Sequence, residues 1–174
     1  MSSLPYSKVV ESLKEVMVMR EKLYTVERVY PVSIETLWNA WVDPKALEVW
    51  YSPVQLEVAK DTVTNEAVVG GVWTVGVDVP EYNFVAYFFG VYTQVKEHEL
   101  LEHTMNYTQS LAEFKNRASS PDEHLIQLDF KEVEGGSWVS FTQLGEMPAE
   151  QIELTKAGTT SYFDNLGLYL AGKK

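Results

Sequence analysis

The sequence contains no cysteine. That excludes disulfides, thiolate catalysis and Cys-ligated metal, and it fits a reducing compartment such as the cytoplasm. Histidine is nearly as scarce. His98, His103 and His124 are the only three, and no His-x-x-x-His or Glu-x-x-His spacing exists, so no local metal motif is present. Basic residues are in deficit: 14 Lys+Arg against 25 Asp+Glu give a formal charge of −11. A field of that sign repels phosphate backbones and anionic lipid headgroups, and the Lys and Arg are scattered among acids. Nucleic acid is therefore not expected as a partner. No stretch approaches the roughly 20 apolar residues of a membrane span. Lys8, Glu11, Lys14 and Glu15 interrupt the region where a secretion signal would need an apolar run. Glycine-rich phosphate loops and Gly-x-Ser-x-Gly elbows are also missing, and no cofactor is expected.

Aromatic residues are abundant, at 13% with 5 Trp and 10 Tyr. Large rings either fill a bulky core or line a cavity, so their placement along the chain decides between the two. Val9, Leu13, Val16 and Met17 recur at helical spacing and predict an amphipathic helix over residues 5–22, an extension ahead of a domain spanning 23–174. Leu23 to Tyr30 alternates as a strand that Pro31 ends. Ser33 caps a short helix carrying Leu37, Trp38 and Trp41, and Asp43-Pro44 opens a second that runs to Trp50. Strands are expected at Val54–Lys60, Ala67–Val79, Asn83–Lys96, Leu100–Tyr107, His124–Glu134 and Ser137–Leu144. Gly70-Gly71 supplies a bend and Gly135-Gly136 a hairpin. The polar stretch 108–123 reads as a loop with one helical turn near Leu111–Lys115, and Pro148 to Ala171 as a long final helix. One strand, two short helices, a run of strands and a terminal helix make an α+β domain with helices on one side of an antiparallel sheet.

Alternation assigns faces. Trp73, Val75, Val77 and Val79 form one apolar row. Val85, Tyr87, Phe89, Val91 and Val95 form another, although Phe84, Phe88 and Tyr92 make the opposite face apolar too. A strand apolar on both faces needs cover on both, and a second copy of the chain is one candidate cover. Leu101, His103, Met105 and Tyr107 share a face, as do Ile126, Leu128 and Phe130, and Val139, Phe141 and Gln143. His103 and Gln143 interrupt otherwise apolar rows. Each must either bond to a neighbour in the core or point into a cavity and orient a ligand.

The segments Val32-Ser33-Ile34-Glu35-Thr36-Leu37-Trp38-Asn39-Ala40-Trp41, Asp43-Pro44, Val69-Gly70-Gly71-Val72-Trp73, Gly90-Val91 and Tyr162-Phe163-Asp164-Asn165-Leu166 carry a resemblance. In order and spacing they resemble the START-like superfamily (polyketide cyclase and birch-allergen-like proteins, SRPBCC). Within it they are most similar to the bacterial branch homologous to the activator of heat-shock protein ATPase. The resemblance covers about residues 23–171. It implies a helix-grip fold, in which a curved seven-stranded antiparallel sheet wraps a long C-terminal helix around a cavity. Two departures stand out: Gly158-Thr159 where the family commonly has Gly-Trp, and Gln143 where it often has His.

Three functions follow as expectations. The first is binding of a small apolar or aromatic, lipid-like ligand by Trp41, Trp50, Trp73, Val75, Tyr87, Phe89, His103, Met105, Phe141, Gln143, Tyr162, Phe163 and Leu166. The second is cyclase- or hydrolase-like chemistry with His103 as acid/base, helped by Tyr87 or Tyr107. The third is a module that stimulates a chaperone ATPase. No metal site is expected, and a homodimer is one partner that the two-faced aromatic strand and the N-terminal helix would allow.

Overall fold

A computed structural model describes Lys8 and residues 20–174. The N-terminal helix expected over 5–22 falls almost wholly outside the described residues. Its last two positions, Glu21 and Lys22, already belong to strand β1 (Glu21–Tyr30). Helices α1 (Ile34–Val42) and α2 (Pro44–Trp50) follow, capped as their sequences require. Ser33 Oγ accepts the Thr36 N–H at 3.1 Å, and Asp43 Oδ1 accepts the Lys45 N–H at 2.9 Å. Then come β2 (Glu57–Val58), β3 (Thr64–Asn65), β4 (Val72–Val79), β5 (Phe84–Lys96), β6 (Leu100–Thr108), helix α3 (Leu111–Asn116), β7 (His124–Val133), β8 (Gly136–Gly145) and helix α4 (Ala149–Leu170).

The strands form one curled antiparallel sheet in the order β1-β8-β7-β6-β5-β4-β2, with β3 also paired to β4. Helix α4 lies across its inner face. This is the helix-grip architecture with seven strands along the sheet. Two expected strands are shorter than their sequences suggest. Val54–Lys60 pairs only at Glu57–Val58, and Ala67–Val79 pairs only from Val72. The second truncation has a clear cause. Gly70 takes a left-handed φ of +83°, and a Cβ on Gly71 would sit 1.9 Å from the Glu66 carbonyl oxygen, so residues 66–71 form a tight turn.

Register carries the inner face across the sheet. Trp73, Val75 and Val77 stand opposite Gly90, Phe88 and Ala86. His103 and Leu101 stand opposite Ile126 and Leu128, which face Gln143 and Phe141, which in turn face Tyr24 and Val26 of β1. Most of these side chains are buried in a single core with Leu37, Trp41, Trp50, Phe163 and Leu166.

The face expected for β5 is corrected. Val85, Tyr87 and Phe89 point outward, and Phe84, Ala86 and Phe88 point inward. A register shift between Tyr92 and Gln94 then returns Val95 to the inner face, opposite Leu101. The outer aromatic pair is covered from within the chain. Phe114 of α3 stacks on Tyr87 at 4.6 Å between ring centroids and meets Phe89 edge-on at 6.2 Å. The segment 108–123 therefore brings a lid for the second apolar face, and that pair needs no second copy to cover it.

Candidate functional site

Sheet and helix do not meet uniformly. The C-terminal half of α4 is fastened by buried polar contacts. Tyr30 Oη donates to the Phe163 carbonyl at 2.7 Å, and the fully buried Asn165 donates from Nδ2 to the carbonyls of Trp50 at 2.8 Å and Ser52 at 3.1 Å. Trp50 in turn donates from Nε1 to the Ala40 carbonyl at 2.8 Å, so α1, α2 and α4 are tied in series. Arg28 adds an ion pair with Asp164 at 2.7 Å.

Under the preceding half of α4 lies a cavity of about 260 Å³. Thr155, Gly158, Thr159, Tyr162 and Phe163 form its roof, spaced by three and four as one face of a helix must be. Trp73, Val77 and Val79 of β4, Ala86 and Phe88 of β5, Met105 of β6, and Phe141 and Gln143 of β8 form its floor. Tyr24 of β1 and the group Trp41, Tyr51, Pro53 and Leu56 close the sides. A Cβ added at Gly158 would meet nothing within 4 Å, so the helix has open space beneath it there.

No charged residue lines this cavity among the described residues. Three of its polar side chains are bonded to one another. Thr159 donates to Tyr24 Oη at 2.7 Å, because Tyr24 spends its own proton on Gln143 Oε1 at 2.5 Å. Gln143 Nε2 then donates to His124 Nδ1 at 2.7 Å, and His124 Nε2 donates to the Glu146 carbonyl at 3.1 Å. Burial raises the phenol pKa of Tyr24 to about 12, and it pushes Tyr51 and Tyr162 up as well. These phenols stay protonated at neutral pH, so the wall is uncharged.

Of the residues expected at a ligand site, the structure brings Trp41, Trp73, Met105, Phe141, Gln143, Tyr162 and Phe163 together around the cavity. Trp50, Val75 and Leu166 are fully buried in the solid core beside it. Tyr87 and Phe89 lie on the far side of the sheet beneath Phe114, which corrects their expected inward placement. The expectation that His103 enters the cavity is also corrected. Its ring is 1% exposed, stacked on Trp73 at 4.2 Å and met edge-on by Tyr92 at 5.5 Å. Nδ1 donates to the Thr104 carbonyl at 2.8 Å, which fixes the neutral tautomer, and burial lowers the pKa to about 4. A neutral ring behind Trp73 is placed to pack and not to exchange protons with a ligand. Tyr107, its expected helper, is exposed and hydrogen-bonded to Gln109. Gln143 combines both alternatives, lining the cavity while its amide is bonded within the protein.

Tyr24, Tyr51, Phe88 and Thr159 were not expected at the site. Alternation in β1 places Tyr24 on the face of Val26, and Thr159 stands one helical turn before Phe163, so both had a signal. Tyr51 follows the end of α2, where no periodicity operates. Among the described residues no group of three or more His, Asp or Glu is placed to hold a metal ion. No helix among them is long and apolar enough to cross a membrane.

The fold has known counterparts. The AHSA1 protein from Silicibacter pomeroyi superimposes with a TM-score of 0.72 at 19% identity, over 87% of this chain and 99% of that one. A protein from Chromobacterium violaceum gives 0.69 at 18% identity over 84% and 95%. A protein from Arthrobacter aurescens gives 0.70 at 15% identity over 90% and 88%. Such identities speak for the fold alone. No curated protein matches the sequence. The family model for activator of Hsp90 ATPase homolog 1-like proteins matches residues 31–171, from the end of β1 through α4. The chain belongs to the activator of Hsp90 ATPase homolog 1-like family, within the START-like superfamily.

Proposed function

We propose that the protein binds a small, mostly apolar molecule in the cavity beneath α4. One observation carries the reading. Among the described residues the final helix is fastened mainly through Phe163 and Asn165, and its face from Thr155 to Phe163 roofs a space lined by Trp41, Tyr51, Trp73, Phe88 and Phe141 and by no charged residue. Burying apolar surface there is favourable by roughly 25 cal/mol per Å², and rings give a ligand flat, rigid walls. The roof offers a clean test. A phenyl group at position 158 would project into the open space below the helix. The wild-type protein should enhance the fluorescence of the apolar probe 1-N-phenylnaphthylamine, and Gly158→Phe should weaken its binding at least tenfold with the fold intact by circular dichroism. Equal binding by both proteins would place the probe elsewhere and end the cavity reading.

Chaperone stimulation is the second reading, and the family description supports it. An ATPase assay with an Hsp90-type chaperone at increasing protein tests it, and an unchanged rate ends it. The enzymatic reading loses its support with the placement of His103. The absence of cysteine supports a cytoplasmic site of action, which cell fractionation would check. Exposed Val68, Val69 and Val91 support self-association, and sedimentation at a monomer mass would dismiss it.

A further inference from the structure

One run of hydrogen bonds connects the cavity wall to the protein surface. It passes from Thr159 of α4 through Tyr24 of β1 and Gln143 of β8 to His124 at the start of β7, and it ends on the Glu146 carbonyl. Thr159, Tyr24 and Gln143 are buried, and His124 is half-buried. The His124 ring has a fixed seat, because it lies so close over Gly145 that a Cβ there would come within 2.5 Å of its Cδ2.

The terminal carbonyl sets the direction of the whole run. A carbonyl only accepts, so His124 Nε2 carries a proton, and the neutral ring then leaves a lone pair on Nδ1. That lone pair takes an N–H from Gln143 Nε2, which turns Gln143 Oε1 towards Tyr24. Tyr24 donates to Oε1 and accepts from Thr159.

A second proton on His124 is incompatible with this order. An imidazolium donates from both nitrogens, so Nδ1–H would confront the Gln143 amide N–H at 2.7 Å. Turning the Gln143 amide over removes the conflict: Oε1 accepts from Nδ1–H, and Nε2 donates to Tyr24. Tyr24 then donates to Thr159 Oγ1, since Gln143 no longer accepts its proton. The Thr159 proton is released in turn, and the Thr155 carbonyl one helical turn earlier can take it. The Gln151 and Lys156 carbonyls take the hydroxyl protons of Thr155 and Thr160 in that way, at 2.8 and 3.0 Å. Every donor has an acceptor in either direction, so the run has two complete arrangements.

The charged groups around His124 suit the change. Arg20, Glu21 and Lys22 at the start of β1, Asp122 and Glu123 before β7, and Glu146 after β8 line the groove beside Gly145, and Arg20 already pairs with Glu123 at 3.4 Å. Among the described residues α4 brings Ile152 to that groove and β6 sets Met105 opposite His124, and neither is charged. Carboxylates therefore outnumber bases around the added charge.

We propose that His124 is a proton-operated switch: its protonation turns the Gln143 amide and reverses the hydrogen-bond run, so that the cavity wall presents an amide N–H at Gln143 in place of a carbonyl oxygen. The device lies in the fold itself and does not depend on what the cavity holds.

NMR of the 15N,13C-labelled full chain without ligand tests this between about pH 8 and 5, the range in which histidine changes charge. At pH 8 a coupling across the N–H···N bond should join Gln143 Nε2 to His124 Nδ1. At pH 5 that coupling should vanish while both ring nitrogens of His124 report protonation. The Tyr24 ring and Thr159 methyl signals should shift with the same midpoint, and in His124→Phe that shift should be lost. Absence of the coupling at pH 8, or its persistence beside a protonated His124, overturns the switch. So do Tyr24 and Thr159 signals that ignore the ring, a shift that survives in His124→Phe, a ring still neutral at pH 5, or unfolding before the ring charges. Should His124→Phe not fold, the wild-type titration decides alone.

Discussion

His103 shows how much a single side chain's role depends on what stands in front of it. The sequence places it on an inward face, and it is inward. What alternation cannot show is that Trp73 covers the ring at 4.2 Å, so that the histidine packs behind the wall and does not form part of it. This has a thermodynamic consequence. The folded ring protonates only near pH 4, whereas the unfolded one does so near 6.5. Between those values the unfolded chain holds the extra proton, so stability rises with pH across the window. It is fully present above about 6.5 and is lost as pH falls towards 4, by up to about 3 kcal/mol. Urea unfolding of wild type and His103→Gln at pH 7.5, 6 and 4.5 should show the wild type losing stability more steeply on acidification. Parallel losses would mean that this ring does not carry the effect.

At the scale of elements, local rules went far and stopped where two faces competed. The caps at Ser33 and Asp43, the bend at Gly70, the hairpin at Gly135 and the run of strands all follow from short stretches of sequence. Strand β5 does not, because Phe84, Ala86 and Phe88 on one face and Val85, Tyr87 and Phe89 on the other are both apolar. With no polar face, period two gives no preference, and the cover supplied by α3 is fixed by tertiary contact alone. That cover should be energetically substantial. Phe114 is 6% exposed and contacts both outer rings, so Phe114→Ala should cost about 3 kcal/mol, near the low end for such truncations because the cluster is small. An equilibrium urea titration reads this directly. A loss below about 0.5 kcal/mol would show that α3 rests on the sheet without stabilising it.

For the molecule as a whole, the sequence identifies a sheet, a terminal helix and a surplus of rings, and seven of the thirteen expected site residues line one cavity. It does not show where solid packing ends and the hollow begins. That boundary is set by the fastening of α4 through Phe163 and Asn165, whose partners Tyr30, Trp50 and Ser52 are more than 100 residues away in the chain. The same boundary should divide the dynamics of the helix. Past residue 160 the helix is held by hydrogen bonds into the buried ends of β1 and α2, while from 150 to 159 its main sheet-side bond is Thr159 to Tyr24, and Leu154 stands 73% exposed. Amides open more readily where buried contacts are few. Hydrogen exchange should therefore be at least tenfold faster for residues 153–159 than for 163–168. A ligand that bridges the roof and the floor supplies the contacts missing from the first segment, so saturation should slow exchange there and leave the second nearly unchanged. Uniform protection along α4 in the free protein would mean that the helix is gripped over its full length, and a cavity beneath one half could not then act as the yielding part of the structure.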